Sequence, residues 1–430
     1  MPASLGITRA RPRELSGPAA YRLSQLANTL RFAQQHSPYY RELLRERDLE
    51  PGQAEGVLRS LPPLDLSAWS AARSRLRTGP LRGVTIGYAE GPAGQPTPFL
   101  SVQREVEALE TALRDADRTT ETLVISGSNH CDAVSPAARA DGRVVHPLYR
   151  QEHYRQVSAL LEREIEPFSL MPRIGAVEAD LVSMKALTLY LMHRRGRVDD
   201  LGITRISVSR NLLSRRWRIR LEDWWGAQVE SVFGIAEMPM CDARSCADCG
   251  YFHMPPSCLA EVLNGDEDWE PVRPGGRGML AVTGFHPFIE LEPRIRYVPG
   301  EVAQLAPGVC HRWGERGFRP LGRSGDSARN TRTGAWVCPA DVYSALADHV
   351  AVNRVPPTSA VEGRDYDEVS GPRFMLETGN PVRLHVELRF SPTVWEAEAA
   401  TAERSIQKLL PEGVEVIAHE PGRLGTVVEY

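Results

Sequence analysis

The sequence predicts an α/β protein with a largely parallel sheet, closed by a smaller α+β unit at its C-terminal end. Three observations predict it. Between residues 121 and 233 short β-like runs alternate with helical stretches of roughly 10 to 18 residues, the pattern of βαβ units. From 259 to 305 the pattern changes to short strands broken by Gly and Pro, which suggests a smaller β-rich subdomain. After Gly322 a helix, a strand, a second helix and a final strand follow in turn. The chain has 430 residues, 42% of them hydrophobic and 25% charged, enough for two or three ordinary domains.

The elements are read in order from apolar spacing and turn residues. Residues 18–46 read as helix, with Tyr21, Leu23, Leu26, Leu30 and Phe32 on one face; the stretch ends in Ser37-Pro38-Tyr39-Tyr40 and a short second helix. Leu61-Pro62-Pro63-Leu64 closes this region. A strand from Gly83 to Tyr88 leads into the loop 89–97, and a charged helix is expected from Val102 to Asp117. Strands are expected at Glu121–Ser126, Arg143–Pro147, Ile203–Ser207 and Gln228–Phe233, and helices at Gln151–Glu164, Val177–Arg194 and Leu213–Trp225. Gly278–Thr283 and Ile295–Tyr297 read as strands of the β-rich part. Helix Ala340–Val350, strand Arg383–Phe390, helix Val394–Leu410 and strand Val414–His419 complete the tail.

Composition narrows function. A net charge of −4 gives no electrostatic reason for a nucleic-acid partner. No apolar run approaches the roughly 18 to 20 residues of a membrane span, and the N-terminus lacks an apolar signal core. A cytoplasmic protein is expected. Of 51 basic residues only Lys185 and Lys408 are lysines, so chemistry that requires an amine has two candidates. The seven cysteines of such a chain are not expected to form disulfides.

Four groups of residues carry chemistry. The loop 89–97, with Gly91, Gly94 and Thr97, is either a plain turn or a set of backbone N–H groups aimed at phosphate. It lacks the lysine of a Walker sequence and carries Glu90. Glu237, after Phe233-Gly234 at a strand end, is either a surface carboxylate or a Mg²⁺ ligand at the carboxyl end of the sheet. Glu301 closes a turn after Arg296 and suits ribose hydroxyls, or serves the turn alone. Cys241, Cys246, Cys249 and His253 cluster within thirteen residues, with Cys310-His311 as a second half-site. Soft ligands at such spacing suit a closed, structural zinc site; the alternative is free buried thiols.

Taken in order, these pieces resemble the phenylacetate–CoA ligase family of adenylate-forming enzymes over nearly the whole chain. The resemblance rests on Ser37-Pro-Tyr-Tyr-Arg-Glu-Leu, Gly91-Pro-Ala-Gly-Gln-Pro-Thr97, Phe233-Gly-Ile-Ala-Glu237 and the Cys246-x6-His253 spacing. It continues through Pro274-Gly-Gly-Arg-Gly278, Arg296 to Glu301, Gly322-Arg-Ser-Gly-Asp326 and Gly334-Ala-Trp-Val-Cys-Pro339.

The resemblance implies an adenylate-forming enzyme fold. A large N-terminal domain would span 1–322, with a zinc-bearing β-rich part at about 238–320, and a small mobile domain 323–430 would turn on a hinge near Asp326. It implies ATP and Mg²⁺ as cofactors and an aryl or other hydrophobic carboxylic acid as substrate. The acyl group would pass from an acyl-adenylate to a thiol, CoA or carrier-protein pantetheine, in specialised metabolism. By position Glu237 would bind Mg²⁺ and Arg323 would approach phosphate or ribose. Gly91, Gly94 and Thr97 would line the phosphates, Phe233 and Gly234 the adenine or acyl group, and Glu301 the ribose. Zinc would be held by Cys246, Cys249, His253 and Cys310, with Cys241 and His311 in reserve. A homodimer is compatible with this reading; nucleic acid and membrane are not expected as partners.

The departures define a second reading. The phosphate loop lacks its usual hydroxyls and lysine, the ribose aspartate is Glu301, and the family's C-terminal lysine is absent from Pro421 to Tyr430. A protein that has lost adenylation would act on an already activated acyl group or serve as a binding partner.

Overall fold

The computed structural model describes residues 18–81, 84–90, 96–102, 104–105, 107–108, 121–126, 143–148, 150–162, 174–209, 213–235, 237–265, 268–346, 349–355 and 371–424. The chain opens with helices α1 (Pro18–His36), α2 (Pro38–Leu43) and α3 (Ala54–Ser60), strand β1 (Leu64–Asp65) and helix α4 (Leu66–Leu76). The expected end at Ser37-Pro38 and the short second helix after it are found as the boundary between α1 and α2. There the Ser37 hydroxyl accepts the Tyr40 N–H at 3.5 Å, while Pro38, which has no N–H to offer, starts a new helix.

A hairpin of β2 (Val84–Glu90) and β3 (Pro96–Val102) follows, antiparallel from Val84↔Val102 to Glu90↔Pro96. The loop 89–97 is therefore flanked by strand on both sides, not by strand and helix. Of the helix expected at Val102–Asp117, Val102 is the last residue of β3 and 104–105 and 107–108 are helical; the other residues lie outside the described ones.

The α/β layer comprises β4 (Glu121–Ser126), β5 (Arg143–Pro147), α5 (Gln151–Glu162), β6 (Ile174–Asp180), α6 (Leu181–Arg195), β7 (Arg205–Ser209), α7 (Arg215–Trp225) and β8 (Gln228–Ile235). Here the helix expected at Val177–Arg194 gives up its first four residues to β6. Asp180 sets the boundary: its carboxylate accepts the Ser183 N–H at 2.8 Å and the Ser183 hydroxyl at 2.7 Å. Gly196, at φ 79, ends the helix. Strand β6 is a central parallel strand with Ala176, Val177 and Ala179 buried, so it lacks the alternation that marks a half-exposed strand.

The chain then runs through β9 (Met238–Ser245), β10 (Phe252–His253), β11 (Cys258–Leu263), β12 (Arg277–Gly284), β13 (Tyr297–Val298), β14 (Glu301–Leu305) and β15 (Phe318–Arg323). Among the described residues one 13-stranded sheet runs β1-β13-β12-β14-β15-β10-β9-β8-β7-β6-β4-β5, with β11 paired to β12. Pairing is parallel from β5 to β8 and antiparallel from β8 to β12. The β-rich segment is thus continuous with the parallel sheet through the tight β8–β9 hairpin, not a separate sheet. It nevertheless packs around its own core with α1 to α4, built on Leu26, Leu30, Trp69, Phe285 and Tyr297. The parallel half packs around Val177, Leu187, Ile206 and Trp225.

The remaining elements are β16 (Ala328–Arg329), β17 (Trp336–Val337), α8 (Pro339–Leu346), β18 (Arg354–Val355), β19 (Gly371–Pro372), β20 (Phe374–Glu377), β21 (Val382–Glu387), α9 (Glu396–Gln407) and β22 (Val414–His419). Their core, with Val342, Phe374, Leu384, Val386 and Ile406, is distinct from the others. It meets the large sheet where Cys338 packs with Val302 and Leu321. Gly322, at φ 121, is needed here, because a Cβ would lie 2.8 Å from the Pro339 ring that starts α8. Arg277 on β12 makes a bidentate pair with Asp341 on α8, at 2.7 and 2.9 Å.

Candidate active site and metal centre

The β8–β9 hairpin lies at the carboxyl end of the parallel strands, where open α/β sheets place ligands. Ile235 pairs with Met238, so Glu237 sits in the turn itself. Its side chain is buried, and Tyr297 on β13 donates its hydroxyl to Oε1 at 3.3 Å. Burial and the neighbouring Glu237 charge raise the Tyr297 phenol above its usual range, so it stays a donor.

Glu301 and Arg323 face each other as direct partners on β14 and β15. The turn before Glu301 uses Gly300 at φ 89, a backbone conformation that a β-carbon disfavours. The Gly300 carbonyl accepts the Ser324 N–H at 2.7 Å, which ties this turn to the segment carrying Arg323 and Asp326. Loss of hydration pushes the Glu301 carboxyl up to about 7; Arg323 opposes the rise, and Asp326 and Glu237 add to it. Glu237, Glu301, Arg323 and Asp326 therefore occupy one electrostatic neighbourhood, three carboxylates to one guanidinium. The excess of carboxylate oxygens in such a set is of the chemistry that divalent cations take as ligands.

The other expected site residues fall elsewhere or beyond description. Gly91 and Gly94 lie outside the described residues. Thr97 is the second residue of β3, with its backbone opposite Ala89. The Phe233 ring packs edge-on against Phe318 at 5.8 Å and Phe252 at 6.5 Å. Gly234 lies beside Asp242, whose Oδ1 would be 2.7 Å from any Cβ there. Tyr297 is the residue that sequence reasoning missed: it stands next to Arg296 in a recognised motif, but only the sheet brings it to Glu237.

The Cys/His residues converge. Cys246, Cys249, His253 and Cys310 offer ligand atoms that all lie within 4.8 Å of one another. Two similar turns present them. In one the Cys246 carbonyl accepts the Gly250 N–H at 2.8 Å; in the other the Cys310 carbonyl accepts the Gly314 N–H at 2.8 Å. Both glycines have positive φ, 71 and 67. Strand β10, held between β9 and β15, brings His253 to the same point.

The spacing fits a tetrahedral ion. Zn–S of about 2.3 Å and Zn–N of about 2.0 Å imply S···S near 3.8 Å and S···N near 3.5 Å. Cys246 and Cys310 sulfurs are 3.9 Å apart, and the Cys249 sulfur is 3.2 Å from His253 Nε2. The other imidazole nitrogen, buried and without a hydrogen bond, faces Glu315 at 3.6 Å, the position of a carboxylate that orients a metal-bound histidine. Glu315 is held in turn by Arg22 of α1 at 2.8 Å, and the His253 ring stacks on Trp313 at 5.1 Å. Burial pushes the Cys249 thiol up to about 11, with Cys246 and Cys310 adding to the rise. Cys246 shifts the other way: its burial is outweighed by the backbone N–H groups of Cys249 and Asp248 and by the neighbouring thiols, which lower it. The two reserve ligands stay out: Cys241 is buried in the main core, and His311 is exposed.

The architecture is the adenylate-forming enzyme fold. No family model and no curated protein matches the chain. Solved structures do. A 2-hydroxyisobutyryl-CoA ligase in its postadenylation state, complexed with R3-HIB-AMP, superposes with a TM-score of 0.63 at 15% identity, over 94% of this chain and 86% of that one. The o-succinylbenzoate coenzyme A synthetase of Bacillus subtilis, with ATP and magnesium, gives 0.53 at 14% identity, over 80% and 67%. An ATP-bound RpMatB–BxBclM chimera gives 0.52 at 16% identity, over 77% and 63%. At these identities the likeness concerns the fold. Among the described residues no helix is long and apolar enough to cross a membrane.

Proposed function

We propose that the protein activates a carboxylic acid, aryl or otherwise hydrophobic, as an acyl-adenylate and passes the acyl group to a thiol, and that it is akin to the phenylacetate–CoA ligases. The single observation that carries this reading is the meeting of Glu237, Glu301 and Arg323 in one neighbourhood of an adenylate-forming fold. In the first half-reaction a carboxylate oxygen attacks the α-phosphorus of ATP and pyrophosphate leaves. In the second a thiolate sulfur attacks the acyl carbonyl and AMP leaves. AMP is a far better leaving group than hydroxide, so the protein's task is alignment and charge stabilisation.

On this reading Glu237, oriented by Tyr297, holds Mg²⁺, which neutralises phosphate charge when bound. Ionised Glu301 accepts a ribose hydroxyl, and Arg323 faces the phosphates. The small domain begins at about 323, turns near Asp326, and brings the thiol of CoA or a carrier-protein pantetheine to the acyl group. Cys246, Cys249, His253 and Cys310 would hold zinc as a four-ligand structural site, stabilising the fold and taking no part in the reaction. The protein works in the cytoplasm, within specialised metabolism.

The second reading, a fold that has lost adenylation, is favoured by one set of observations. The loop carries Glu90 and no lysine, and neither lysine is among the charged groups that act on Glu301. Lys185 is buried on α6, and Lys408 caps α9 at the far end of its helix. Acid-dependent exchange of pyrophosphate into ATP decides between the two. Exchange supports the ligase; its absence, with turnover of a supplied acyl-thioester, supports the second reading.

A further inference from the structure

Three arginines converge on one buried carboxylate beside Trp69. Trp69 and Arg73 stand one turn apart on α4, and Arg77, one turn further, caps the helix. Glu292 and Arg294 meet them from the segment before β13. The Glu292 side chain is buried; Arg73 reaches its Oε1 at 2.9 Å, and Arg77 approaches the same oxygen at 3.8 Å. Arg294, 2% exposed, lies 3.5 Å from Oε2. The guanidinium carbons of Arg73 and Arg294 are also 4.7 and 5.3 Å from the centre of the Trp69 ring. Groups outside the cluster hold the segment in place. Thr78 donates to the Glu290 and Leu291 carbonyls, and Glu105 accepts the N–H groups of both residues.

Neither the charges nor the hydrogen bonds of this cluster close. Three guanidinium groups share the Glu292 carboxylate, while Glu105, the other carboxylate acting on Arg294, is occupied by three backbone N–H groups. Among the described residues, Arg73 Nη2, Arg77 Nε, Arg294 Nε and Nη2 and Trp69 Nε1 are buried without a hydrogen-bond partner, and so is Glu292 Oε2. Orphaned buried groups of this kind answer to a water or an ion, and a buried guanidinium left unpaired is costly. Five donors and an excess of positive charge point to an oxyanion, which the forked guanidinium group is shaped to bind. The one orphaned acceptor narrows the choice. An ionised carboxylate only accepts, so the anion must also carry a proton to donate. Inorganic phosphate at neutral pH keeps one O–H and offers three ionised oxygens to three arginines. Sulfate has no O–H, a phosphate monoester loses its own above about pH 6, and bicarbonate has fewer oxygens and less charge.

We propose that Arg73, Arg77 and Arg294, with Trp69 and Glu292, form a binding site for inorganic hydrogen phosphate. The arginines bind its ionised oxygens, and Glu292 Oε2 accepts its remaining O–H. Arg294 and Glu292 lie on the buried side; Arg73 and Arg77, with side chains 20% and 31% exposed, lie on the side open to solvent. The site does not depend on the acyl-transfer reading.

Calorimetric titration of the full chain at neutral pH with inorganic phosphate, sulfate, bicarbonate and glycerol 3-phosphate tests the assignment. Phosphate is expected to bind saturably, about tenfold or more tighter than each of the others, the range for one hydrogen bond to a charged group. Arg77→Gln, a change at the partly exposed cap of α4, is expected to weaken phosphate about tenfold or more and to leave the fold intact. Glu292→Gln adds a donor where the buried acceptor stood, and is expected to bind sulfate at least as well as phosphate. If Glu292→Gln does not fold, the order of the four anions in the unaltered protein and the loss in Arg77→Gln carry the test. Absence of phosphate binding overturns the proposal and leaves the orphaned groups to water. Phosphate binding of equal strength in Arg77→Gln and the unaltered protein overturns it as well. Sulfate, bicarbonate or glycerol 3-phosphate bound as tightly as phosphate by the unaltered protein overturns the assignment to hydrogen phosphate.

Discussion

Replacing Glu301 by Gln keeps the shape and hydrogen-bonding oxygen of the side chain and removes its ionisation. The folded carboxyl titrates at about 7 against an ordinary 4.5. Folding therefore favours the protonated form. Below about pH 4.5 the group is neutral in both states and contributes nothing. As pH rises toward 7 the unfolded chain ionises first and the native state holds the extra proton, so stability falls; above 7 the full cost is present. A shift of this size corresponds to about 3 kcal/mol. Glu301→Gln is thus expected to exceed the unaltered protein by less than about 1 kcal/mol at pH 5 and by about 3 kcal/mol at pH 8. Thermal or urea unfolding of the pair at both pH values reads the difference, and effects common to both proteins, including those of the cysteines, cancel. A variant that loses stability at pH 8 would refute the reasoning, because Glu301 would then be ionised in the fold and held by Arg323. The same variant is expected to bind ATP more weakly at pH 8, where the native carboxylate is the better acceptor for a ribose hydroxyl.

Three further outcomes are expected. Purified protein should contain one zinc per chain by metal analysis; Cys246→Ser should lose it and unfold the β9–β15 region at lower temperature, since a closed site contributes binding energy to folding. Glu237→Gln should keep the thermal stability of the fold within about 1 kcal/mol and lose most adenylation activity, on the order of 10²-fold or more, by activity and unfolding assays on the same sample. Arg277→Ala and Asp341→Ala, each alone and together, should show a coupling of about 1 to 3 kcal/mol in a double-mutant cycle, because this partly buried bidentate pair ties α8 to β12. Additive single effects would show that the pair does not hold the small unit in place.

Much of the fold was legible because its signals were local. The strands β4, β5 and β8 and the helices α5 and α7 were marked by apolar period; the cap Ser214, which starts α7 two residues later than expected, was not read. Strand β6 was not, because a strand buried on both faces carries no alternation and its Ala-Val-Glu-Ala run reads equally as helix. The hairpin β2–β3 was half legible: its first strand was read, but Pro96 and Pro98 disguised the second, which among the described residues pairs with β2 alone, outside the large sheet. Spacing alone groups Cys241, Cys246, Cys249 and His253; Cys310, with Cys241 in reserve, was expected only through the resemblance, and β15 returning to pair with β10 is what brings Cys310 to that cluster. Tyr297 could not be assigned to Glu237 for the same reason: the two are sixty residues apart, and the hydrogen bond exists only through the order of strands.

The central claim is that the three-carboxylate, one-guanidinium neighbourhood serves acid activation. Pyrophosphate exchange into ATP, measured across a panel of aryl and aliphatic acids with Mg²⁺, tests it most directly. The loop 89–97, with Glu90 and no lysine, should make exchange slow, since one missing preorganised cation costs on the order of 10²–10³ in rate. The account predicts slow exchange that requires one class of hydrophobic acid and disappears in Glu237→Gln. Exchange that persists undiminished in Glu237→Gln, or no exchange with any acid while a supplied acyl-thioester is turned over, would contradict it.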